Sequence, residues 1–312
     1  MKEKFFIITV DTEGDNLWGC KPIKKELLIP STENARYIER FQMLCENYRF
    51  LPTYLVDYEM AKSKVFTQLG KSILQNKTGE IGMHMHAFST PPFYELSDLR
   101  GRNLAFMGEY PQQVICAKME YMTKLLQDTF QVSIKSHRGG RWCLDNRILN
   151  SMEELGYTVD CTVTPGVSWS NTKGQTGGSK GADYSQYRNK VYRIKNSRVL
   201  ELPVTIRQRG NIDFHIGKGV TYYNRKIWMR PNGHNIDDMK WLVDRAALSE
   251  CNYIEFMIHS SELMEGANPS FRTKRDIENL YSHMEEIFDY LNDKGYKGIT
   301  CTDYIVKYNE KT

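Results

Sequence analysis

The sequence predicts an α/β fold built on a parallel sheet. Short apolar runs of strand length alternate with longer segments whose apolar residues recur at helical spacing, over the whole chain. No internal repeat and no clear linker interrupts this alternation. Alternating strands and helices form parallel sheets, and 312 residues are enough for one large domain, so we expect a single domain over residues 1–312. The number of strands favours a closed barrel over an open sheet, although the number alone does not decide between them.

The predicted elements follow one another in a regular order. In the first half, strands are expected at KFFIITV, FLPTYLVD and GEIGMHMH, and helices at TENARYIERFQMLCENY, VFTQLGKSILQN and PQQVICAKMEYMTKLLQDTF. Ser31 or Thr32 suits the N-cap of the first helix, and Pro111 suits the first turn of the third. In the second half, strands are expected at VSIKSHR, YTVDCTV, VLELPVTI, NYIEFMIH and YKGITCTDYI, and helices at DNRILNSMEELG, NIDDMKWLVDRAALSE and TKRDIENLYSHMEEIFDYLNDKG. Gly156 is expected to end the first of these helices.

A long loop is expected at about residues 164–189, which are rich in Gly, Ser, Thr and Asn. Long loops in compact domains are usually functional or mobile. The loop follows a strand, and its Trp169 is an apolar residue in a polar segment. We therefore expect the loop to border the functional site and to become ordered on substrate binding, with a disordered surface insertion as the alternative.

Composition and charge exclude several classes of protein. The chain has 42 basic and 38 acidic residues spread along its length, a net charge of +4, so no clustered basic face for nucleic acid is expected. No apolar run approaches the roughly 20 residues that a membrane-spanning helix needs. The N-terminal apolar run ends in acids and lacks a cleavage site, and the seven cysteines form no CxxC pair. These features predict a cytoplasmic protein with free thiols.

Two pairs of polar residues follow predicted strands, where functional sites of parallel α/β folds lie. Asp11 and Glu13 are two residues apart in VDTEGD, and His84 and His86 are two apart in EIGMHMHAF. In an extended chain, residues two apart point to the same side. Two carboxylates and two imidazoles suit Zn²⁺ or another divalent transition metal.

Two further motifs end predicted strands. In SHRGGRW, Arg138 and Arg141 flank paired glycines that permit a close backbone approach. In FMIHSSEL, His259 ends a strongly apolar strand and precedes Glu262. Each motif alone has an ordinary explanation, as a helix cap, a hydrogen-bonded structural histidine or a surface ion pair. Their coincidence at the ends of different strands favours one functional site.

The order of these motifs resembles the polysaccharide deacetylases, the NodB-homology group of carbohydrate esterase family 4. HMHAFSTPPF, RGGRW, VTPG, WMRP and IHSSELMEGANP look most like the branch named for the lipopolysaccharide-biosynthesis protein WalW. The resemblance covers most of the chain. It implies a distorted (β/α)₇ barrel, one divalent metal and an N-acetylated sugar substrate. The metal that it implies is zinc.

The resemblance also implies roles for individual residues. Asp11 matches the general base and Glu13 the metal carboxylate, a position where the family usually has Asp, and which of the two binds the metal is left open. His84 matches the first metal histidine. The family's second histidine lies four residues further on, where this chain has Phe88, so the resemblance assigns that ligand to His86.

Other roles implied by the resemblance concern acid–base chemistry and sugar binding. Arg138 matches the arginine that orients the base, and His259 the catalytic acid. Asp160 matches more weakly an acid that tunes that histidine. Arg141 is a candidate substrate-binding residue, and four aromatic residues could stack on a sugar or pack in the core: Tyr94, Trp142, Trp169 and Trp228. The remaining histidines are expected to be structural: His137, His215, His234 and His283.

The implied activity is metal-assisted hydrolysis of an N-acetyl group from a sugar, releasing acetate. With a cytoplasmic location, a free, nucleotide-linked or lipid-linked sugar of surface-polysaccharide or lipopolysaccharide synthesis fits better than chitin or peptidoglycan. Two alternatives stay open. One is another C–N hydrolase, acting on a non-sugar amide or formyl group, and the other is a non-catalytic sugar- or metal-binding protein. The oligomeric state is not predicted.

Overall fold

A computed structural model describes residues 3–15, 31–96, 104–215, 219–249 and 251–310, with the backbone alone at 211–215 and 219–224. The described strands are β1 (Lys4–Thr12), β2 (Pro52–Val56), β3 (Glu80–Met85), β4 (Ser136–Gly139), β5 (Val159–Asp160), β6 (Tyr192–Arg193), β7 (Leu200–Glu201), β8 (Ile206–His215), β9 (Gly219–Trp228), β10 (Tyr253–His259) and β11 (Tyr296–Gly298). The helices are α1 (Ala35–Asn47), α2 (Tyr58–Lys62), α3 (Lys64–Asn76), α4 (Gln112–Phe130), α5 (Asn146–Glu154), α6 (Ile236–Ala247), α7 (Lys274–Asp293) and α8 (Cys301–Asn309).

The main sheet is parallel, curled and flanked by helices. Within the described ranges its strands follow the order β10-β1-β2-β3-β4-β5-β7, and each neighbouring pair is parallel. Strand β6 is added antiparallel to β7, and β11 pairs in parallel with the first residues of β1. The result is a half-barrel of the distorted (β/α)₇ type, which confirms the predicted fold class.

The open side of the half-barrel is crossed by the chain that follows β7, residues 202–205. At one end of this segment, Leu202 N donates to Asp160 O of β5 over 2.8 Å. At its other end, Thr205 N donates to Glu255 O of β10 over 3.4 Å. This segment therefore connects β5 and β10, which are not paired with each other. The ends of the parallel strands face a common interior.

Aromatic packing holds β1 and β10 beside α7. Every residue of β1 after Lys4 is buried, as expected for a parallel strand covered on both faces. The ring of Phe6 lies 4.8 Å from that of Phe50, 5.9 Å from Phe256 of β10 and 5.6 Å from Phe288 of α7, between centroids. Such edge-to-face contacts favour one relative placement of the elements. They fix the two strands whose carboxyl ends carry site residues.

The predicted strands of the second half are shorter than expected. Strand β5 has two residues in place of YTVDCTV. The predicted strand VLELPVTI contains β7, also two residues, before the chain crosses the open side and begins β8. A long antiparallel hairpin, β8 with β9, was not predicted. The residues between β7 and β8 bond to β5 and β10 at isolated points, which interrupts the regular strand that apolar composition favours.

Two predicted ends also differ. Helix α1 begins after Asn34, which makes no side-chain cap, so neither Ser31 nor Thr32 is the N-cap. The last predicted strand is confined to the three residues of β11. It is followed by helix α8, because Thr300 caps a new helix by accepting a hydrogen bond from Asp303 N at 3.2 Å. None of the described helices combines the length and the apolar character needed to cross a membrane.

Candidate metal centre and catalytic site

The strand register brings the predicted site residues together. Asp11 of β1 lies directly opposite His259 of β10, and His84 of β3 lies opposite Arg138 of β4. Paired residues of neighbouring parallel strands point to the same side of the sheet, here into the half-barrel. A cavity of about 340 Å³ opens there. Nine of the twelve residues given a candidate site role from the sequence line it: Asp11, Glu13, His84, His86, Arg138, Arg141, Trp142, Trp169 and His259.

Three buried donor groups converge on one point of this cavity. Glu13 Oε2 lies 2.8 Å from His86 Nε2 and 3.4 Å from His84 Nε2, and the two imidazole nitrogens are 3.0 Å apart. Bonds from zinc to histidine and carboxylate are about 2.0–2.2 Å long, so three donors at these separations can share one ion. Among the described residues, these three form the group of His, Cys, Asp and Glu side chains able to hold a metal.

The surroundings of His84 and Glu13 fit a metal ligand set. His84 Nδ1 donates to the carbonyl oxygen of Arg138 at 3.1 Å, so Nε2 is the nitrogen left to bind an ion. Of the buried polar atoms that the structure describes, Glu13 Oε1 is one without a hydrogen-bond partner. A buried carboxylate oxygen without a donor is costly, and a bound cation would remove that cost.

The backbone around His86 explains the paired glycines of the RGGRW motif. A Cβ on Gly140 would lie 2.6 Å from His86 Nδ1 and 2.5 Å from the carbonyl oxygen of Met85, distances that no side chain tolerates. The close approach expected from these glycines is therefore an approach to the His86 imidazole. Thr90 Oγ1 also donates to the His86 carbonyl at 2.9 Å, which holds the chain after β3.

The protonation of the three donors follows from burial and mutual charge. Burial raises the pKa of Glu13, but hydrogen bonds from His84 and His86 outweigh it and hold the pKa well below its ordinary value. Burial lowers the pKa of His84, yet the charges of Asp11 and Glu13 outweigh that effect and raise it. At His86 burial prevails and the pKa is lowered. Of the two imidazoles, His84 is therefore the one whose protonated form the neighbouring carboxylates favour.

Arg138 is completely buried and holds Asp11 in place. Its Nη1 donates to Asp11 Oδ1 at 2.6 Å, its Nη2 to Glu255 Oε1 at 2.7 Å and its Nε to the carbonyl oxygen of Cys161 at 2.8 Å. Burial raises the pKa of Asp11, but the Arg138 charge outweighs it and keeps the pKa below its ordinary value. Burial raises the pKa of Glu255 despite the same arginine. Asp11 is thus the ionised partner, with Oδ2 directed towards the cavity.

His259 is oriented by residues of its own neighbourhood and not by Asp160. Arg230 Nη2 lies 2.8 Å from His259 Nδ1 and 2.7 Å from Glu262 Oε1. Because the guanidinium can only donate, Nδ1 accepts and the neutral ring carries its proton on Nε2. Asp160 pairs with His137, at 2.6 Å, so the expectation that Asp160 tunes the catalytic histidine is wrong.

Arg230 and Glu262 were not assigned roles from the sequence, although both lie in motifs that carried the resemblance. Burial raises the pKa of Glu262, but the charge of Arg230 outweighs it and lowers the pKa to about 2. The carboxylate therefore stays ionised and holds Arg230 beside His259. Their pairing links the end of β9 to the turn after β10, a contact between distant parts of the sequence that no local pattern reveals.

Tryptophans form one wall of the cavity. The rings of Trp142 and Trp169 are nearly parallel, 6.1 Å apart at an interplanar angle of 11°, and Trp228 packs against both. Trp228 itself does not line the cavity. Tyr94 also lies outside it, half-exposed and edge-on to Tyr110, so its geometry does not support the expected sugar contact.

Of the histidines expected to be structural, the three whose side chains the structure describes do not line the cavity: His137, His234 and His283. His137 is buried against Asp160, and His234 is exposed. The side chain of His215 lies outside the described residues.

The loop at 164–189 borders the cavity through Trp169 and Thr172, as expected. It is folded on itself by short bridges, Ser168 with Asp183 and Lys173 with Lys180. The carboxylate of Glu109 accepts hydrogen bonds from Gln175 N, Thr176 N and Thr176 Oγ1, at 2.9, 2.7 and 2.7 Å. These bridges and the contacts with Glu109 hold the loop beside the cavity, and its ordering on substrate binding stays a prediction.

No protein-family model matches the sequence, and no curated protein matches it. A solved structure from Mycobacterium smegmatis, provisionally named a polysaccharide deacetylase, has a TM-score of 0.57 at 10% identity, over 99% of this chain and 92% of that one. The 4-alpha-glucanotransferase of Thermococcus litoralis has a TM-score of 0.54 at 11% identity, over 98% of this chain and 41% of that one. At these identities the likeness shows a shared fold, a curled parallel barrel.

Replacing His84 or His86 by Ala is expected to weaken zinc binding at least 100-fold, because each removes a direct donor and outer-shell changes alone cost about 10- to 100-fold. Isothermal titration of the metal-free protein with zinc measures the affinity. His234→Ala, an exposed histidine away from the cavity, is the matched control. Unchanged zinc affinity in both cavity variants would contradict a site at these residues.

Replacing Glu109 by Ala is expected to release the loop at 164–189, because three hydrogen bonds from loop residues end on the Glu109 carboxylate. Trypsin cleavage after Lys173 and Lys180 should then become faster, as measured by mass spectrometry of timed digests. Glu154→Ala changes an exposed carboxylate on α5 and serves as control. Equal cleavage rates in the two variants would show that Glu109 does not hold the loop.

Proposed function

We propose that the protein is a metal-dependent hydrolase that removes the acetyl group from an N-acetylated sugar, and that it belongs to the polysaccharide deacetylases. The observation that carries this proposal is a single cavity. It combines three metal donors with an ionised carboxylate, Asp11, and an imidazole, His259, on the opposite wall. A binding protein needs the donors but has no use for a carboxylate and an imidazole placed for proton transfer.

The ion would be held by Glu13, His84 and His86, and zinc suits this mixture of nitrogen and oxygen ligands. When bound, it would polarise the acetyl carbonyl and lower the pKa of a water molecule. Asp11 lies outside this donor group and is bonded to Arg138 through Oδ1. This division of roles favours Glu13 over Asp11 as the metal carboxylate.

Asp11 is suited to remove a proton from the attacking water. Arg138 fixes the carboxylate and keeps it ionised, while Oδ2 remains directed towards His259, at 3.6 Å from Nε2. Because its pKa is low, the Asp11 carboxylate is a weak base. A weak base is sufficient here, because the bound ion would lower the pKa of the water. The proton from water thus moves to Asp11 Oδ2 as the oxygen attacks the acetyl carbon.

His259 is suited to complete the reaction on the other side. Its Nδ1 accepts from Arg230, so its Nε2 carries the proton and points at the space between Asp11 and Glu13, 3.6 and 3.7 Å from their nearest oxygens. That N–H donates a hydrogen bond to the amide nitrogen and orients it, while the proton that Asp11 Oδ2 took from water passes to the nitrogen as the C–N bond breaks. The free amine and acetic acid are the products; the acid loses its remaining water-derived proton to solvent as acetate, and Asp11 and His259 return to their starting forms.

A sugar fits this cavity better than a small amide. The two nearly parallel indoles of Trp142 and Trp169 supply flat apolar surface beside polar groups, as sugar rings require. The volume of about 340 Å³ lies at the lower end of the usual range for ligand pockets, which suits one or two rings. A free, nucleotide-linked or lipid-linked sugar, handled in the cytoplasm during surface-polysaccharide assembly, remains the expected substrate.

Replacing Asp11 by Asn is expected to lower kcat by about 10²- to 10⁴-fold, the usual effect of removing one general base. The Asn side-chain oxygen can still accept from Arg138, so zinc content and fold should persist. Release of acetate from N-acetylated sugars and sugar nucleotides, with zinc analysis of the same samples, measures both. Asp293→Asn, at an exposed position, is the control. Turnover at the parent rate in Asp11→Asn would exclude Asp11 as the base.

A further inference from the structure

The guanidinium of Arg141 is held rigidly on the wall of the catalytic cavity. The backbone of Arg141 is left-handed, with φ of 55°. The guanidinium carbon lies 3.9 Å from the centre of the Phe106 ring, and Nη1 donates to the carbonyl oxygen of Leu104. A guanidinium held by an aromatic face and a backbone carbonyl is presented in one orientation.

Arg141 differs from the other arginines of the cavity in having no carboxylate partner. Arg138 is paired with two acids and Arg230 with Glu262. Among the described residues, no carboxylate oxygen lies within 4.0 Å of Arg141. Glu109 is near enough to act on it electrostatically, but its oxygens accept four hydrogen bonds from Phe106, Gln175 and Thr176.

This arrangement leaves Arg141 as a local positive charge on the cavity wall, without a carboxylate partner among the described residues. The charges of Arg138 and Arg230 are balanced by Asp11 and Glu262, with which they share short hydrogen bonds. Among the described residues, the polar contacts of the Arg141 guanidinium are with backbone carbonyl oxygens, that of Leu104 through Nη1 and that of Lys173 at 3.5 Å through Nη2. A half-buried cation without a counter-ion binds an anion more strongly than an exposed one, because less water competes.

We propose that the substrate is an acidic N-acetylated sugar, whose carboxylate or phosphate is bound by Arg141 while its acetamide lies at the metal centre. The inference rests on the proposed function and specifies its substrate class. A guanidinium presents two parallel N–H groups that match the two oxygens of a carboxylate or phosphate. Arg141 then selects acidic substrates through a contact away from the bond that is broken. Neutral sugars lack the group that makes this contact.

The kinetic test compares kcat/KM for acetate release from four sugars: N-acetylglucosamine, its 1-phosphate, its 6-phosphate and its uronic acid. At least one acidic sugar is expected to exceed the neutral one by roughly 10- to 100-fold, the size of one charge-assisted bidentate contact. Whether a phosphate or the uronic acid shows the preference identifies the acidic group. Arg141→Gln should abolish the preference, and Arg141→Lys, which keeps the charge without the fork, should retain part of it. Arg245→Gln, at an exposed position, should keep it in full.

A binding measurement separates failure of this inference from failure of the proposed function. Glucose, glucose 1-phosphate, glucose 6-phosphate and glucuronate carry no acetyl group, and their affinities for zinc-loaded and zinc-free protein can be measured by calorimetry. Tighter binding of an acid that Arg141→Gln abolishes supports the inference even if no sugar releases acetate, a result that would overturn only the proposed function.

Two outcomes would overturn the inference. The first is equal affinity and equal kcat/KM for acidic and neutral sugars in the parent protein. The second is a preference that persists in both Arg141→Gln and Arg141→Lys but disappears on removal of zinc, because the anion then binds the metal. Thermal unfolding of each variant identifies loss of fold, and where Arg141→Gln fails to fold the comparison with Arg141→Lys decides.

Discussion

The site depends on one buried cation, the guanidinium of Arg138. It has no exposure to solvent, and it joins β4 to both β1 and β10 through Asp11 and Glu255. Burying an arginine is unfavourable unless it is paired, and removing one partner of a buried pair typically costs about 3–5 kcal/mol. The pairing therefore constrains three strands at once. It also determines where the Asp11 carboxylate, the proposed base, lies, and it favours the ionised form of that carboxylate.

The chemistry follows from this constraint and from the strand register. The residue opposite Asp11 is His259, and the residue opposite Arg138 is His84, whose Nδ1 donates to the Arg138 carbonyl. One arginine thus positions the proposed base through its side chain and a metal ligand through its backbone. His259, the proposed hydrogen-bond donor to the leaving nitrogen, belongs to a separate unit, in which Glu262 holds Arg230 against it. Asp11 and His259 are positioned independently and face each other beside the proposed metal donors.

Much of this architecture could be predicted from the sequence, because its signals are local. The buried run of β1 and the helical spacing of α3, α4 and α7 are properties of short segments, and they were sufficient for the fold class. Residues two apart in an extended strand point to the same side of the sheet. The pairing of Asp11 with Glu13 and of His84 with His86 could therefore also be predicted.

The features that could not be predicted depend on contacts between distant segments. Asp160 follows a strand as a tuning acid would, but its partner is set by the neighbouring strand, which places His137 opposite it. The β8–β9 hairpin and the crossing segment before it depend on how the open side of the half-barrel is covered. Tyr94 lies near site residues in the sequence, yet packs on Tyr110 outside the cavity.

The central claim is that Glu13, His84 and His86 jointly hold one divalent ion beside Asp11. X-ray absorption spectroscopy of the zinc-loaded protein tests it most directly, because it reports the ligand atoms and their distances. We expect two imidazole nitrogens and at least one carboxylate oxygen around the zinc, all at about 2.0–2.2 Å. In His86→Ala we expect one imidazole nitrogen fewer. A spectrum with sulfur ligands, or with the same two imidazoles in His86→Ala, would contradict it.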